Sequence, residues 1–215
     1  MMRRDFGDYK LYVFDLDGTL YDQPRLRLIM AKRLLVYYML HPFSAGDLLI
    51  LRHFRSVKDS WTGSSSEDDI IRRVAADKKC DAAKVRGIVD KWIYDNPLSA
   101  LAKTKDQRLI DWIGRLRRDG KKVVILSDYP TADKLRALSV EADRQYGPDD
   151  PRIDELKPSP KGLLVIMEDY DCLPGDILMI GDRPEKDGAC AEAAGVDHLI
   201  LPRHTGRRDY EGFES

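Results

Sequence analysis

Cysteine and histidine are scarce in this chain. The three cysteines, Cys80, Cys172 and Cys190, are odd in number and far apart. They form neither a disulfide framework nor a CxxC metal knuckle, so reduced thiols are the expectation. The four histidines, His41, His53, His198 and His204, have no ligand-like spacing and are assigned no metal. Excess charge is also missing: 36 Lys+Arg stand against 37 Asp+Glu, for a formal net charge of −1. That balance argues against nucleic acid or an acidic membrane surface as a partner. Long hydrophobic runs are absent too. The start, Met-Met-Arg-Arg-Asp, leads into a short apolar stretch ending at Asp15, too short and too acidic for a signal peptide. The longest apolar stretch, 26–40, is broken by Arg27, Lys32 and Arg33 and does not span a bilayer. The expectation is a cytoplasmic protein, with its oligomeric state open.

What the chain does contain is an α/β pattern. Its 215 residues suffice for one α/β domain and a modest insertion. Four short apolar runs, LYVF (11–14), KVVIL (122–126), DILMI (176–180) and HLIL (198–201), lack polar alternation. They read as strands buried on both faces of a parallel sheet. Helical spacing places Leu109, Ile110, Trp112, Ile113 and Leu116 on one face of 106–118, with Gly120 as the stop. Further helices are predicted after Pro130, over about 159–170, and from Glu185 to Ala194 before Gly195. The alternation predicts a doubly wound parallel sheet.

Residues 23–104 break that alternation and read as helical throughout. The spacing predicts a helix over 25–40 closed by His41-Pro42, and a second capped by Ser44 and running to about Trp61. A third opens at a Ser66/Asp69 capping box and runs to Lys78. The fourth is capped by Asp81 and ends near Tyr94, before Asn96-Pro97. Gly63-Ser64-Ser65-Ser66 reads as a turn between them. Four helices exceed what one crossover needs, so 24–99 is expected to be an inserted all-helical cap domain, with 1–23 and 100–215 forming the core.

Sheets of this kind bind ligands at the carboxyl ends of their strands. The first predicted strand leads into Asp15-Leu16-Asp17-Gly18-Thr19, the second into Ser127-Asp128, and the third into Gly181-Asp182 with Asp187 five residues on. Carboxylates crowded on one edge cannot all ionise without a cation. An oxygen-only donor set, with no His or Cys, favours a hard ion, Mg²⁺ by default.

DLDGTLYD (15–22), Ser127 at a strand end, Lys157 in LKPSP and GDRPEKDG (181–188) together resemble the four motifs of the haloacid dehalogenase-like (HAD) hydrolase superfamily. The helical insert is similar to the cap of its phosphoglycolate-phosphatase-like branch. The resemblance implies a Rossmann-like core and a Mg²⁺-dependent phosphatase that acts on a small phosphorylated metabolite through a phospho-aspartyl enzyme. By the same resemblance Asp15 is the nucleophile and Asp17 the general acid/base. Thr19 braces the loop at the substrate side, and Ser127 and Lys157 bind the phosphate. Asp15, Asp182 and the main-chain carbonyl of Asp17 hold the metal, and Asp187 orients Lys157 or a metal-bound water. Asp128 joins the substrate-side residues where family members often carry Asn, and its charge would repel a phosphate it faced. A phosphomutase would share every motif. A metal-independent haloacid dehalogenase would keep Asp15 but needs no acid two residues later. In the insert, Arg25, Lys32, Arg33, Arg52, His53, Arg55, Lys58 and Trp61 either line an anion pocket or form solvated helix faces. The substrate is left open among phosphoglycolate, sugar phosphates, nucleotides and pyrophosphate.

Overall fold

A computed structural model of the protein describes residues 7–61, 66–202 and 208. The predicted turn at Gly63-Ser64-Ser65 and His204 lie outside the described residues. Five parallel strands form one sheet: β1 (Leu11–Phe14), β2 (Lys122–Leu126), β3 (Arg144–Tyr146), β4 (Ile177–Gly181) and β5 (Asp197–Ile200). Their order is β3-β2-β1-β4-β5. In register, Phe14 of β1 stands between Ile125 and Ile180.

Alternation along β1 assigns the two faces of the sheet. Tyr12 and Phe14 point into one apolar cluster, Leu11 and Val13 into the other, and all four are fully buried. The first cluster includes Leu109, Trp112, Ile113 and Leu116, one face of α6 (Gln107–Arg118). Trp112 meets Tyr12 and Phe14 edge-on, at centroid distances of 5.9 and 5.5 Å. The second cluster holds Leu163 and Ile166 of α8 (Lys161–Tyr170) and Cys190 and Ala191 of α9 (Ala189–Ala194). Burying an aliphatic or aromatic side chain of this size contributes about 1.5–3 kcal/mol, so sandwiching β1 between two layers is a main source of stability. The structure therefore has the expected α/β architecture, with helices on both faces of a parallel sheet.

Between β1 and β2, ahead of α6, come α1 (Gln23–Leu40), α2 (Asp47–Asp59), α3 (Glu67–Lys78), α4 (Ala82–Val89) and α5 (Asn96–Leu101). Asp22 caps α1 by accepting the Arg25 N–H at 2.9 Å, and Asp81 caps α4 through the Ala83 N–H at 2.8 Å. Three expectations need correction. Ser66 is the N-cap residue of α3, but its side chain makes no capping hydrogen bond, so the Ser66/Asp69 capping box does not form. Ser44 does not cap α2. Pro42 opens a 3-10 turn over Pro42–Ser44, and α2 begins only after Gly46. The fourth helix does not stop before Asn96-Pro97 either. It widens into a π turn over Asp90–Asp95 and continues as α5. Pro97 sits in the first turn of α5, where a missing N–H leaves no helical bond unmade.

β3 escaped the sequence pattern because Arg144-Gln145-Tyr146 has no apolar run. It is an edge strand held only by β2. Between it and Lys157 the chain runs largely in turns. The helix expected from Glu185 is a π turn, Pro184–Gly188, followed by α9. The chain leaves β1 for β2 and β3 on one side, then returns to β4 and β5 on the other. The order therefore reverses between β1 and β4, where open α/β sheets keep their ligand crevice.

Candidate active site

Asp15 is the first residue beyond β1, and its N–H still bonds to Ile180 O of β4 at 2.8 Å. This ladder bond fixes its backbone at the switch point. Its carboxylate is 2 % exposed and receives Thr19 Oγ1 at 2.9 Å and Lys157 Nζ at 2.6 Å. Asp182 follows β4 on the adjacent strand. The loop after β1 passes close over it: a Cβ on Gly18 would come within 2.6 Å of Asp182 Oδ2, and Gly18 has a φ of +98°. Glycine meets both demands there, the left-handed backbone and the close approach.

Asp187 completes the group. Its Oδ2 accepts the N–H groups of Asp182 (3.2 Å) and Arg183 (3.1 Å), and its Oδ1 takes Lys157 Nζ at 2.6 Å. A Cβ on Gly181 would strike the Asp187 side chain at 2.4 Å, so glycine there lets that carboxylate in. One carboxylate oxygen each from Asp15, Asp182 and Asp187 lies within 4.8 Å of the others. Asp182 Oδ1 is buried with no hydrogen-bond partner among the described residues. A buried carboxylate oxygen without a partner is costly unless a cation takes the place of a donor.

The charges do not cancel within this group. Lys157 supplies one positive charge against three carboxylates, leaving a formal −2. Burial pushes the Asp15 carboxyl up to about 7, Lys157 opposing and Asp187 and Asp17 reinforcing it. Burial, and then Asp187, also raise Asp182. Asp187 stays below the usual carboxylate range despite its burial because Lys157 holds it ionised. Burial would lower the Lys157 ammonium, but Asp15, Asp187 and Asp128 outweigh it and hold its pKa well above the ordinary value.

The Asp17 carboxylate is not part of this trio. It receives Lys134 Nζ at 2.6 and 2.9 Å, the Tyr21 hydroxyl, and Ser127 Oγ at 3.5 Å. Burial would raise its pKa, but Lys134 and Tyr21 outweigh that and lower it. Ser127 sits beyond β2, its N–H bonded to Tyr146 O and its Oγ accepting the Tyr129 N–H at 3.1 Å. Asp128, expected among the substrate-side residues, is buried with its carboxylate engaged by the protein itself. Its Oδ1 accepts the Lys157 N–H at 3.0 Å, while Oδ2 lies 3.6 Å from Arg183 and 3.8 Å from Lys186. Asp128 thus braces the Lys157 backbone while two cations face its other oxygen.

Four contributors went unread in the sequence. Lys134, in the first turns of α7 (Ala132–Leu138), is buried against Asp17. Tyr21 reaches the same carboxylate. Tyr129 lies between Lys134 and the insert, with Lys134 Nζ 4.9 Å and Lys58 Nζ 3.9 Å from its ring centre. Arg208 donates to Thr19 O and Gly18 O, both at 2.7 Å, and clamps the loop after β1 from the far end of the chain. Only Lys134 and Tyr129 carried a signal, since both closely follow Ser127.

Of the insert residues weighed for an anion pocket, Lys58 is drawn inward. It is buried and also contacts Glu67 at 3.3 Å. Arg25, Lys32, Arg52 and Arg55 are exposed. Arg33 binds Asn96 O and Ser99, and His53 binds Asp77. A cavity of about 670 Å³ opens beside Lys134. Tyr94 and Leu98 of the insert line it together with residues 129–134, 144–147 and 149–152 of the core.

A family model described as haloacid dehalogenase-like hydrolase matches residues 9–195. A search of curated proteins finds no match. Among solved structures, a 2-haloacid dehalogenase from Pseudomonas syringae pv. tomato is similar, with 18% identity, a TM-score of 0.61, and 90% of this chain and 86% of that one covered. A protein provisionally named a β-phosphoglucomutase, from Thermotoga maritima, shares 16% identity at TM-score 0.61, over 95% of this chain and 90% of that one. A provisionally named HAD-hydrolase, YfnB of Bacillus subtilis, was solved bound to magnesium. It shares 16% identity at TM-score 0.63, over 90% of this chain and 88% of that one. At these identities the likeness is one of fold.

Proposed function

The chain belongs to the haloacid dehalogenase-like hydrolases, and from that premise we propose that it is a magnesium-dependent phosphatase hydrolysing a small phosphate monoester through phosphorylated Asp15. The observation that carries this reading is the buried trio of Asp15, Asp182 and Asp187. Lys157 contacts Asp15 and Asp187 in it but not Asp182, whose Oδ1 is buried without a hydrogen-bond partner among the described residues. A residual formal charge of −2 in an all-oxygen donor set suits a divalent hard cation. Asp15 and Asp182 would hold the ion, with the main-chain carbonyl of Asp17 as the further ligand that the family resemblance implies. Bound there, Mg²⁺ would screen the repulsion between the Asp15 carboxylate and the phosphate dianion.

Asp15 then attacks phosphorus, forming an O–P bond as the bond to the leaving oxygen breaks. Lys157 and Ser127 hold the non-bridging oxygens by charge and hydrogen bonding. Asp17 delivers the proton to the leaving oxygen. A phosphate dianion bound beside Asp17 raises its proton affinity against the pull of Lys134. In the second step the ionised Asp17 takes a proton from water, which attacks phosphorus and releases Asp15 and inorganic phosphate. A haloacid dehalogenase needs neither Asp17 nor Asp182, and the investment of Lys134, Tyr21 and Ser127 in holding Asp17 favours phosphate chemistry.

Purified protein is expected to release inorganic phosphate from p-nitrophenyl phosphate with Mg²⁺ and to stop on addition of EDTA. Asp15→Asn should lower kcat by at least about 10³-fold. Wild-type turnover in that variant would remove the nucleophile. Release of chloride from 2-chloropropionate without metal would favour the dehalogenase. Phosphate transfer to a sugar phosphate, outpacing transfer to water, would favour the mutase.

A further inference from the structure

Among the described residues, the outward face of α1 has no partner in the fold. Leu26, Met30 and Tyr38 of α1 are buried against the rest of the chain. On its other side Leu28, Leu35, Val36, Met39 and Leu40 are each more than half exposed, and Phe43 in the following turn is fully exposed. Of the ten exposed large apolar side chains among the described residues, eight lie between Leu28 and Leu49. A helix that is apolar on both sides is normally buried on both, and a patch of this kind marks a binding surface. An apolar groove of about 480 Å³ runs along it, lined by Ala31, Leu34, Leu35, Tyr38, Met39 and Leu48.

The charge around the patch says what covers it. From Gln23 to Gly46 there is no Asp or Glu, while Arg25, Arg27, Lys32 and Arg33 all fall in α1. Arg25 and Lys32, on the same side of α1 as Leu28, Leu35 and Met39, are exposed and in no ion pair among the described residues, whereas Arg27 lies on the other side near Arg55. Two copies of this face would bring cation against cation. An anionic lipid surface meets both demands at once, taking apolar side chains below the headgroups and cations among them. No described helix is long and apolar enough to cross a membrane, so the geometry suits a helix lying in the interface rather than a span. We propose that α1 and the Phe43 turn dock this protein on anionic lipid membranes. Net charge −1 over the whole chain hid this, because the cations of 23–46 are balanced by acids elsewhere.

The test is co-sedimentation of the full-length protein with vesicles. Binding is expected to vesicles of phosphatidylcholine and phosphatidylglycerol in equal parts, and to weaken as salt is added. Phosphatidylcholine vesicles alone should retain little. Leu35→Gln, Met39→Gln and Phe43→Ser change exposed side chains, so each variant should fold and keep its turnover of p-nitrophenyl phosphate. Each should lose about tenfold in vesicle affinity. Lys32→Gln should reduce the preference for the anionic vesicles. Absence of vesicle binding, or equal binding to both compositions, overturns the proposal. So does a dimer in sedimentation velocity that the same three substitutions dissolve, because a second copy then covers the face.

Discussion

The Asp17 carboxylate, to which we assign proton exchange, sits in this molecule among an ammonium, a phenol and a hydroxyl. Lys134 is the strongest of these partners. Its two short contacts hold the Asp17 side chain off the Asp15, Asp182 and Asp187 trio and keep it ionised. Replacing it with Met keeps the volume and removes the charge. We expect Lys134→Met to fold and to lose roughly 10–100-fold in kcat on p-nitrophenyl phosphate, within the range general acid–base groups command. Unchanged steady-state turnover would take Lys134 out of the site. Lys157 differs in kind. It bridges Asp15 and Asp187 while Asp128 holds its backbone N–H, so three acids from three loops fix one lysine.

The helices between β1 and β2 show how far local chemistry reaches. Asp22, Asp81 and Asp106 each cap a helix with a side-chain oxygen, and each precedes an apolar-patterned run. Such caps are worth about 1 kcal/mol. Asp81→Ala should therefore lower unfolding free energy by about that amount, read from the urea midpoint, while turnover stays at the wild-type value. A loss of activity at unchanged stability would mean that α4 communicates with the site. Where the local reading failed, a longer-range cause stands behind it. Pro97 was read as a stop, yet the chain continues through a π turn into α5, which lays Pro97, Ala100 and Leu101 into the core. Ser44 was read as a cap, but Pro42 had already committed the segment to a tighter turn.

At the scale of the molecule, the buried excess of negative charge couples stability to pH and, on the proposed reading, to metal. Asp15 has its pKa raised to about 7 in the folded state. A carboxyl raised in this way stabilises the fold while protonated, and that contribution fades as pH rises through about 7. A divalent cation needs the ionised form, so protons and metal compete. Saturating Mg²⁺, about 100 times its Kd, should add about 2.7 kcal/mol near pH 8 and raise Tm, with a smaller gain near pH 5.5. Equal thermal shifts at both pH values would sink the shared-site reading. The sequence alone determined the strand–helix alternation, four of the five strands and the acids beyond three of them. Each of these depends on residues near one another in the chain: apolar runs, helical spacing, and turn residues at strand ends. Only the tertiary structure decided that Lys134 and Tyr21 take Asp17, that Asp128 holds the Lys157 backbone, that Arg208 clamps the first loop, and that α1 keeps an apolar face exposed. Those outcomes depend on distances between residues remote in sequence and on burial, which no local pattern encodes.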